Sequence, residues 1–327
     1  MAFYAPTGPT MLGMNDPGLG QAFHGGHHYE NFPVASWLLP ERMRAPTLAF
    51  YRFARTGDDL ADEGDWPAEH RSRALEVLRS GLTLGSAPQS SALQGIGARL
   101  AEHCARQGVS IQPAQLLLEA FHYDAHFQPF ADWAAVQAYC GRSANPVGRM
   151  VLAFAGLGQE RPEIRAEIEQ LSDAVCTGLQ LVNFAQDFGQ DLARHRPTLP
   201  QSEWPSIWTW DTQGARLIAS GIPSQNQQAA ITRSLAQRGL DQITSARLLP
   251  KRLRQSRLEG RRRLALEIAV TMEGGSAMAR RVLRDPIGPW GQSPRLSRLE
   301  LIRCLPGAFG LWVGLTGPAA PTGQAGQ

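Results

Sequence analysis

The chain has 327 residues, a hydrophobic content of 43% and a formal net charge of +3. That length and apolar content allow one large or two modest domains with a substantial core. No apolar run approaches the ~18 residues of a membrane span, and no recognition helix or zinc finger points to nucleic acid. The four cysteines, Cys104, Cys140, Cys176 and Cys304, form no C-x-x-C pair. They read as buried thiols of a reducing compartment. The start of the chain lacks the basic-then-apolar layout of a signal peptide, so the expected localisation is cytoplasmic.

In chain order, residues 1–26 are rich in Gly and Pro and read as a disordered N-terminal segment. Residues 27–303 then read as one helical domain. Leu48, Tyr51, Ala54 and Arg55 recur at helical spacing, with Pro46 suited to a first turn and Gly64 to a helix end. Helical patterns follow over Leu116 to Phe127, Trp133 to Arg142, Pro146 to Leu157, Glu163 to Leu192, Asn226 to Leu248 and Leu258 to Leu283. No alternating run is long enough to argue for a sheet. The break at 195–225, with Pro197, Pro200, Pro205, Gly214, Gly221 and Pro223, reads as an insertion in one bundle. The runs Lys251-Arg252-Leu253-Arg254 and Arg261-Arg262-Arg263 read as solvated helix faces. Residues 304–327 read as an apolar stretch followed by a flexible tail. Cys304 to Leu315 is too short to span a bilayer and is interrupted by Pro306 and Gly307. It suits core packing or peripheral contact with the inner face of a membrane.

Two acidic segments carry the chemistry. In the first helix Tyr51, Arg55, Asp58 and Asp62 step along one stripe. In the later one Asn183, Asp187 and Asp191 form a ladder at four-residue spacing, with Gln180 one turn earlier. Each ladder is a row of oxygen ligands with too few cations on its own face, and like charges so placed call for a bound cation. Oxygen donors without His or Cys suit Mg²⁺, which completes its shell with water and substrate phosphates. Two such rows around one cavity would clamp a diphosphate. Gly57 costs ~1 kcal/mol against Ala inside the first helix, which close packing near a ligand, or chance, would explain.

Three strings carry a resemblance to a known family. Tyr51-x-x-x-Arg55-x-x-Asp58-Asp59-x-x-Asp62-Glu63 resembles the first aspartate motif of the squalene and phytoene synthases. Tyr139-Cys140-x-x-Ser143-Ala144-x-x-Val147-Gly148 resembles their central motif. Gln180-x-x-Asn183-x-x-x-Asp187-x-x-x-Asp191, with Arg196 and Pro200 after it, resembles their second. Tyr29 to Ser36, Ser143 to Arg149 and Pro294-Arg295-Leu296-Ser297 are similar to the hydroxysqualene synthase branch of bacterial hopanoid biosynthesis. The resemblance implies an all-α, single-domain isoprenoid-synthase-like bundle with a central cavity. It implies Mg²⁺ as cofactor and presqualene diphosphate or farnesyl diphosphate as substrate, with companion enzymes of squalene biosynthesis as functional partners. Asp58, Asp62, Asn183, Asp187 and Asp191 would hold metal. Tyr51, Arg55, Asp58, Asp62, Tyr139 and Asp187 would be catalytic. Substrate would be met by His28, Asn31, Phe32 and Ser36 near the start, by Tyr51, Arg55, Tyr139, Ala144, Val147 and Gly148 along the tunnel, and by Gln180 and Arg196.

Three positions depart from that pattern. Thr198 stands where the family has a tunnel tyrosine, and Gln186 where some members carry a phosphate-binding arginine. Asp124-Ala125-His126-Phe127-Gln128 has fewer basic residues than the pattern leads one to expect. Trp204, Trp208 and Trp210 read as packing in the loop after the second motif.

Overall fold

The computed structural model describes residues 39–62, 66–85 and 90–314. His28, Asn31, Phe32 and Ser36 lie outside the described residues, as do residues 1–26 and the 315–327 tail. The described chain is an all-α bundle. Its first six helices are α1 (Glu41–Asp62), α2 (Ala68–Leu84), α3 (Ala92–Gln107), α4 (Gln112–Ala125), α5 (Trp133–Ser143) and α6 (Asn145–Phe154). Then come α7 (Pro162–Gln186) and the short α8 (Phe188–Ala193), and after a hairpin α9 (Gln225–Ser245), α10 (Leu249–Gln255), α11 (Arg261–Arg284), α12 (Gly288–Gly291) and α13 (Arg298–Val313).

The buried side of α1 repeats at three- and four-residue steps: Met43, Thr47, Phe50, Phe53, Gly57 and Leu60. That stripe enters the larger core with Leu78, Leu118, Phe121 and Phe154 and leaves the stripe of Tyr51, Arg55, Asp58 and Asp62 half-buried on another side. The helix starts a turn earlier than Pro46 suggests. Proline has no amide to give the Arg42 carbonyl, and Gln107 Nε2 donates to that oxygen instead (3.4 Å). Gly57 is explained by packing: a Cβ there would lie 2.4 Å from the Phe121 ring of α4.

α7 is the central helix, buried almost all round in its second half from Val175 to Gln186. It crosses α9 at two glycines whose backbones touch. A Cβ on Gly178 would sit 2.7 Å from the Gly239 carbonyl oxygen, and one on Gly239 would sit 2.8 Å from that of Gly178. A second core collects Phe130, Tyr139, Phe184, Phe188, Trp208 and Leu235 around the end of α7. All four cysteines are buried and free; burial pushes the Cys140 thiol up to about 12 and those of Cys104 and Cys176 to about 11.

Three expectations are corrected. The helix read over Glu163 to Leu192 bends at Asp187 (φ −100°, ψ 10°), which separates α7 from α8. Gly189 lets the α12 carbonyls of Pro289 and Trp290 approach closely at that bend. The segment 195–225 holds a two-stranded antiparallel hairpin, β1 (Trp208–Asp211) and β2 (Arg216–Ala219), with Trp208 opposite Ala219 and Trp210 opposite Leu217. Four residues per strand are too few for alternation to show, and the turn rests on Ala215 in the left-handed region (φ 44°). Arginine in the run at 251–254 is not simply solvated: Arg252 pairs with Glu167 (2.7 Å), and Arg254 lies 4.4 Å over the Trp312 ring.

Candidate active site

The two acidic segments meet. The linker between them is Arg196, and a third carboxylate, Asp124 at the end of α4, completes the contact. After α8 the chain turns through His195, a non-glycine residue in the left-handed region (φ 57°), and the Arg196 amide donates back to the Asp191 carbonyl (2.8 Å). That tight turn aims the Arg196 side chain inward. Its guanidinium pairs with Asp62 through Nη1 and with Asp124 through Nη2 (2.9 Å). The Tyr139 hydroxyl of α5 donates to the same Asp124 (2.9 Å). On α1, Arg55 is tied to Asp59 (2.5 Å) and lies 3.7 Å from Asp58.

Burial and mutual repulsion dominate the electrostatics. Burial, then Asp62, pushes the Asp58 carboxyl well above its ordinary range, with Arg55 opposing. Burial raises Asp191 to about 8 despite Arg196, and Asp187 and Asp62 add to the rise. Burial raises Asp124 to about 7 against the pull of Arg196. Burial works against the Arg196 charge, yet Asp62 and Asp124 hold the guanidinium protonated well beyond its usual range. Burial and Asp124 keep the Tyr139 phenol protonated. Asp58 and Asp62 retain 21% and 28% of their side-chain surface and Asp124 only 9%. The cluster is therefore wet from the α1 side and dry below.

Asp187 is placed differently. Burial raises its carboxyl, but the groups that lower it are the Ser293 hydroxyl, Arg194 and Arg295. It leans toward the segment before α13, which α7 and α8 also grip: Gln186 Nε2 donates to the Pro294 carbonyl (3.0 Å) and Gln190 Nε2 to the Ser293 hydroxyl (2.7 Å). Asn183 is half-buried and keeps its backbone bond to Asp187 (2.9 Å), and Asp187 keeps its own to Asp191 (3.0 Å), so the ladder survives the bend. Among the described residues, no three His, Cys, Asp or Glu side chains converge closely enough to hold a metal as they stand. The donor set itself is hard oxygen and crowded; burial first, and for Asp58 and Asp191 neighbouring carboxylates as well, disfavour the charged forms of Asp58, Asp187 and Asp191, so the set suits a divalent cation that would relieve it.

An aromatic wall adjoins the cluster. Tyr139 packs on Phe130 (5.2 Å between centroids) and Phe184 (6.0 Å), and Tyr123 stacks on Phe130. Arg196 lies 5.4 Å over Phe127, which also packs edge-on against Tyr123, Phe130 and Trp210 of the hairpin. Of the remaining expected residues, Gln180 is buried at 3% exposure and Ala144 at 1%. Val147 packs against the larger core. A Cβ on Gly148 would meet Ser172 Oγ at 2.4 Å and Cys176 Sγ at 2.8 Å, so this glycine serves the α6–α7 contact. Thr198 is buried and its hydroxyl finds no partner among the described residues. Asp124 is the site residue that sequence reasoning missed. Its signal was the weak basic character of 124–128: the cation it needs comes from Arg196, 72 positions away.

Comparison with known proteins gives the same picture. The family model described as squalene/phytoene synthase matches residues 26–298. A hydroxysqualene synthase from Rhodopseudomonas palustris is 33% identical over 263 residues, covering 80% of this chain and 82% of its own length. One from Sinorhizobium fredii is 30% identical over 279 residues, covering 84% and 86%. The crystal structure of a squalene synthase from Alicyclobacillus acidocaldarius superposes with a TM-score of 0.59 at 26% identity, covering 79% of this chain and 89% of that one. With its two aspartate motifs joined through Arg196 and its helices arranged as in that structure, the chain belongs to the squalene/phytoene synthase family.

Proposed function

We propose that this enzyme converts presqualene diphosphate and water to hydroxysqualene and diphosphate. The carrying observation is the meeting of Asp62, Asp124 and Asp191 around Arg196, with Asp58 beside Asp62 and Asp124, next to an aromatic wall. Identity of 33% and 30% to hydroxysqualene synthases over most of both chains supports this reading. Asp58, Asp62, Asn183, Asp187 and Asp191 would hold Mg²⁺, which when bound neutralises the departing diphosphate as a Lewis acid.

The chain's own residues do the rest. Arg55 and Arg196 flank the cluster as charge-assisted donors for phosphate oxygens. A diphosphate arriving there competes with Asp59, Asp62 and Asp124 for them. Tyr123, Phe130, Tyr139 and Phe184 present ring faces to the cation left by ionisation and keep stray water away. The Tyr139 proton points at Asp124, so the hydroxyl's lone pairs remain to accept a hydrogen bond from one water at the polar end. That water attacks the cation and gives its proton to a neighbouring carboxylate.

Turnover of presqualene diphosphate with Mg²⁺ in heavy-oxygen water, without any nicotinamide, tests the reading. Labelled hydroxysqualene is the expected product. Squalene formed only with a nicotinamide would move the enzyme to the full squalene synthases, and products from farnesyl diphosphate alone would make it a condensing enzyme. A folded protein that turns over neither diphosphate would be a non-catalytic member.

A further inference from the structure

The last helix is apolar on both sides. Cys304, Ala308 and Leu311 of α13 are buried against the rest of the fold. Contacts to α11 and α10 hold that side: Trp312 Nε1 donates to the Arg262 carbonyl (2.9 Å) and Arg254 Nη1 to the Trp312 carbonyl (2.6 Å). On the other side Leu299, Ile302, Leu305 and Phe309 remain 57, 59, 51 and 57% exposed, and Val313 36%. These five recur at three- and four-residue steps, so they form one ridge, about 20 Å long at the helical rise. A helix at a water surface carries one apolar stripe; one that is apolar all round is covered all round. The family match ends at residue 298, where α13 begins.

The charge around the ridge says what covers it. Arg298 and Arg303 are exposed on the same helix, and exposed Arg295 precedes it. Residues 249–314 hold 13 Lys and Arg against 5 Asp and Glu, a net +8 in a chain whose total is +3. Three of those five acids are already paired, Glu259 with Arg42 (2.5 Å), Glu300 with Arg281 (2.8 Å) and Glu273 with Arg280 (3.5 Å). A second copy docking through this face would bring two strongly positive surfaces together. At 16 residues α13 is about 24 Å long, shorter than the ~30 Å hydrocarbon core, so it is too short to cross a membrane.

We propose that the exposed ridge of α13 docks on an anionic bilayer surface, with its apolar side chains at the headgroup boundary and the surrounding arginines on lipid phosphates. The inference needs no substrate and stands whichever reaction the site performs.

Flotation of the full chain with phosphatidylcholine vesicles, with and without phosphatidylglycerol, is the test. The protein is expected to float with the phosphatidylglycerol vesicles and to be released by high salt. Ile302→Glu with Phe309→Glu should cut binding about tenfold or more, since charge replaces two of the inserted side chains. Arg298→Gln and Arg303→Gln should each cost about fivefold. No binding by the wild type to the anionic vesicles overturns the proposal, as does undiminished binding by the double glutamate variant. So does a concentration-dependent dimer in light scattering that this variant makes monomeric while vesicle binding is absent. If the glutamate pair loses helicity by circular dichroism, the exposed arginine variants decide alone, and unchanged binding by them overturns the proposal.

Discussion

Arg196 is placed between two carboxylates that come from different helices. Asp124 is almost fully buried, and among the described residues its carboxylate is bonded by Arg196 and Tyr139. Breaking such a pair from one side leaves a charge stranded in protein. Arg196→Ala should therefore destabilise the fold by about 3 kcal/mol, measured by denaturant unfolding, and should abolish turnover. Adding Asp124→Asn should return part of that loss, because the stranded charge goes with it. A single-variant loss within about 0.5 kcal/mol would mean that the cluster is wet enough to solvate its own charges. Arg196 could be named from its place after the second motif. Asp124 could not, because no local spacing links it to a partner so far along the chain.

At the scale of elements, helix crossings and caps decide what is tolerated. At the α7–α9 crossing backbone meets backbone, so Gly178→Ala forces the helices apart just before Gln180 and Asn183. A loss of about 3 kcal/mol is expected from overpacking of this kind. Gly274 of α11 has no atom within 4 Å of its Cβ position, so Gly274→Ala should instead gain up to about 1 kcal/mol from helix propensity. Unfolding midpoints of the two variants should move in opposite directions. The α13 cap sets an acid limit. Backbone and side-chain hydrogen bonds from Ser297, then Arg281, hold the Glu300 carboxyl at about 2, against an ordinary 4.5. A carboxyl lowered by folding stabilises the fold fully above its unfolded value and loses that contribution as pH falls through the folded one. Stability from this cap should thus be complete above pH 4.5 and decline toward pH 2, and Glu300→Gln should flatten that part of the curve in thermal unfolding.

For the molecule as a whole, repulsion among the site carboxylates is a cost carried by the ligand-free fold. A cation and an anion that bind together remove it and stabilise the folded state in proportion to their occupancy, by about 2.7 kcal/mol at a hundred times the dissociation constant. Mg²⁺ with inorganic diphosphate is expected to raise the unfolding temperature more than either alone. Asp58→Asn with Asp191→Asn should start from a higher baseline and lose the joint shift. Equal shifts in that variant would place the binding elsewhere.

Helix content, the α1 stripe, the spacing of Asn183, Asp187 and Asp191 and the burial of the thiols were all legible in the chain alone. Each rests on a periodicity of three or four residues, or on composition, which local sequence carries. Only tertiary structure could decide that Asp124 joins the site and that Asp187 turns to Ser293. The same holds for Gly57 and Gly148 yielding to Phe121 and to Ser172 and Cys176, and for a hairpin breaking the bundle. These are contacts between segments far apart along the chain, and pairwise proximity of that kind leaves no period to read.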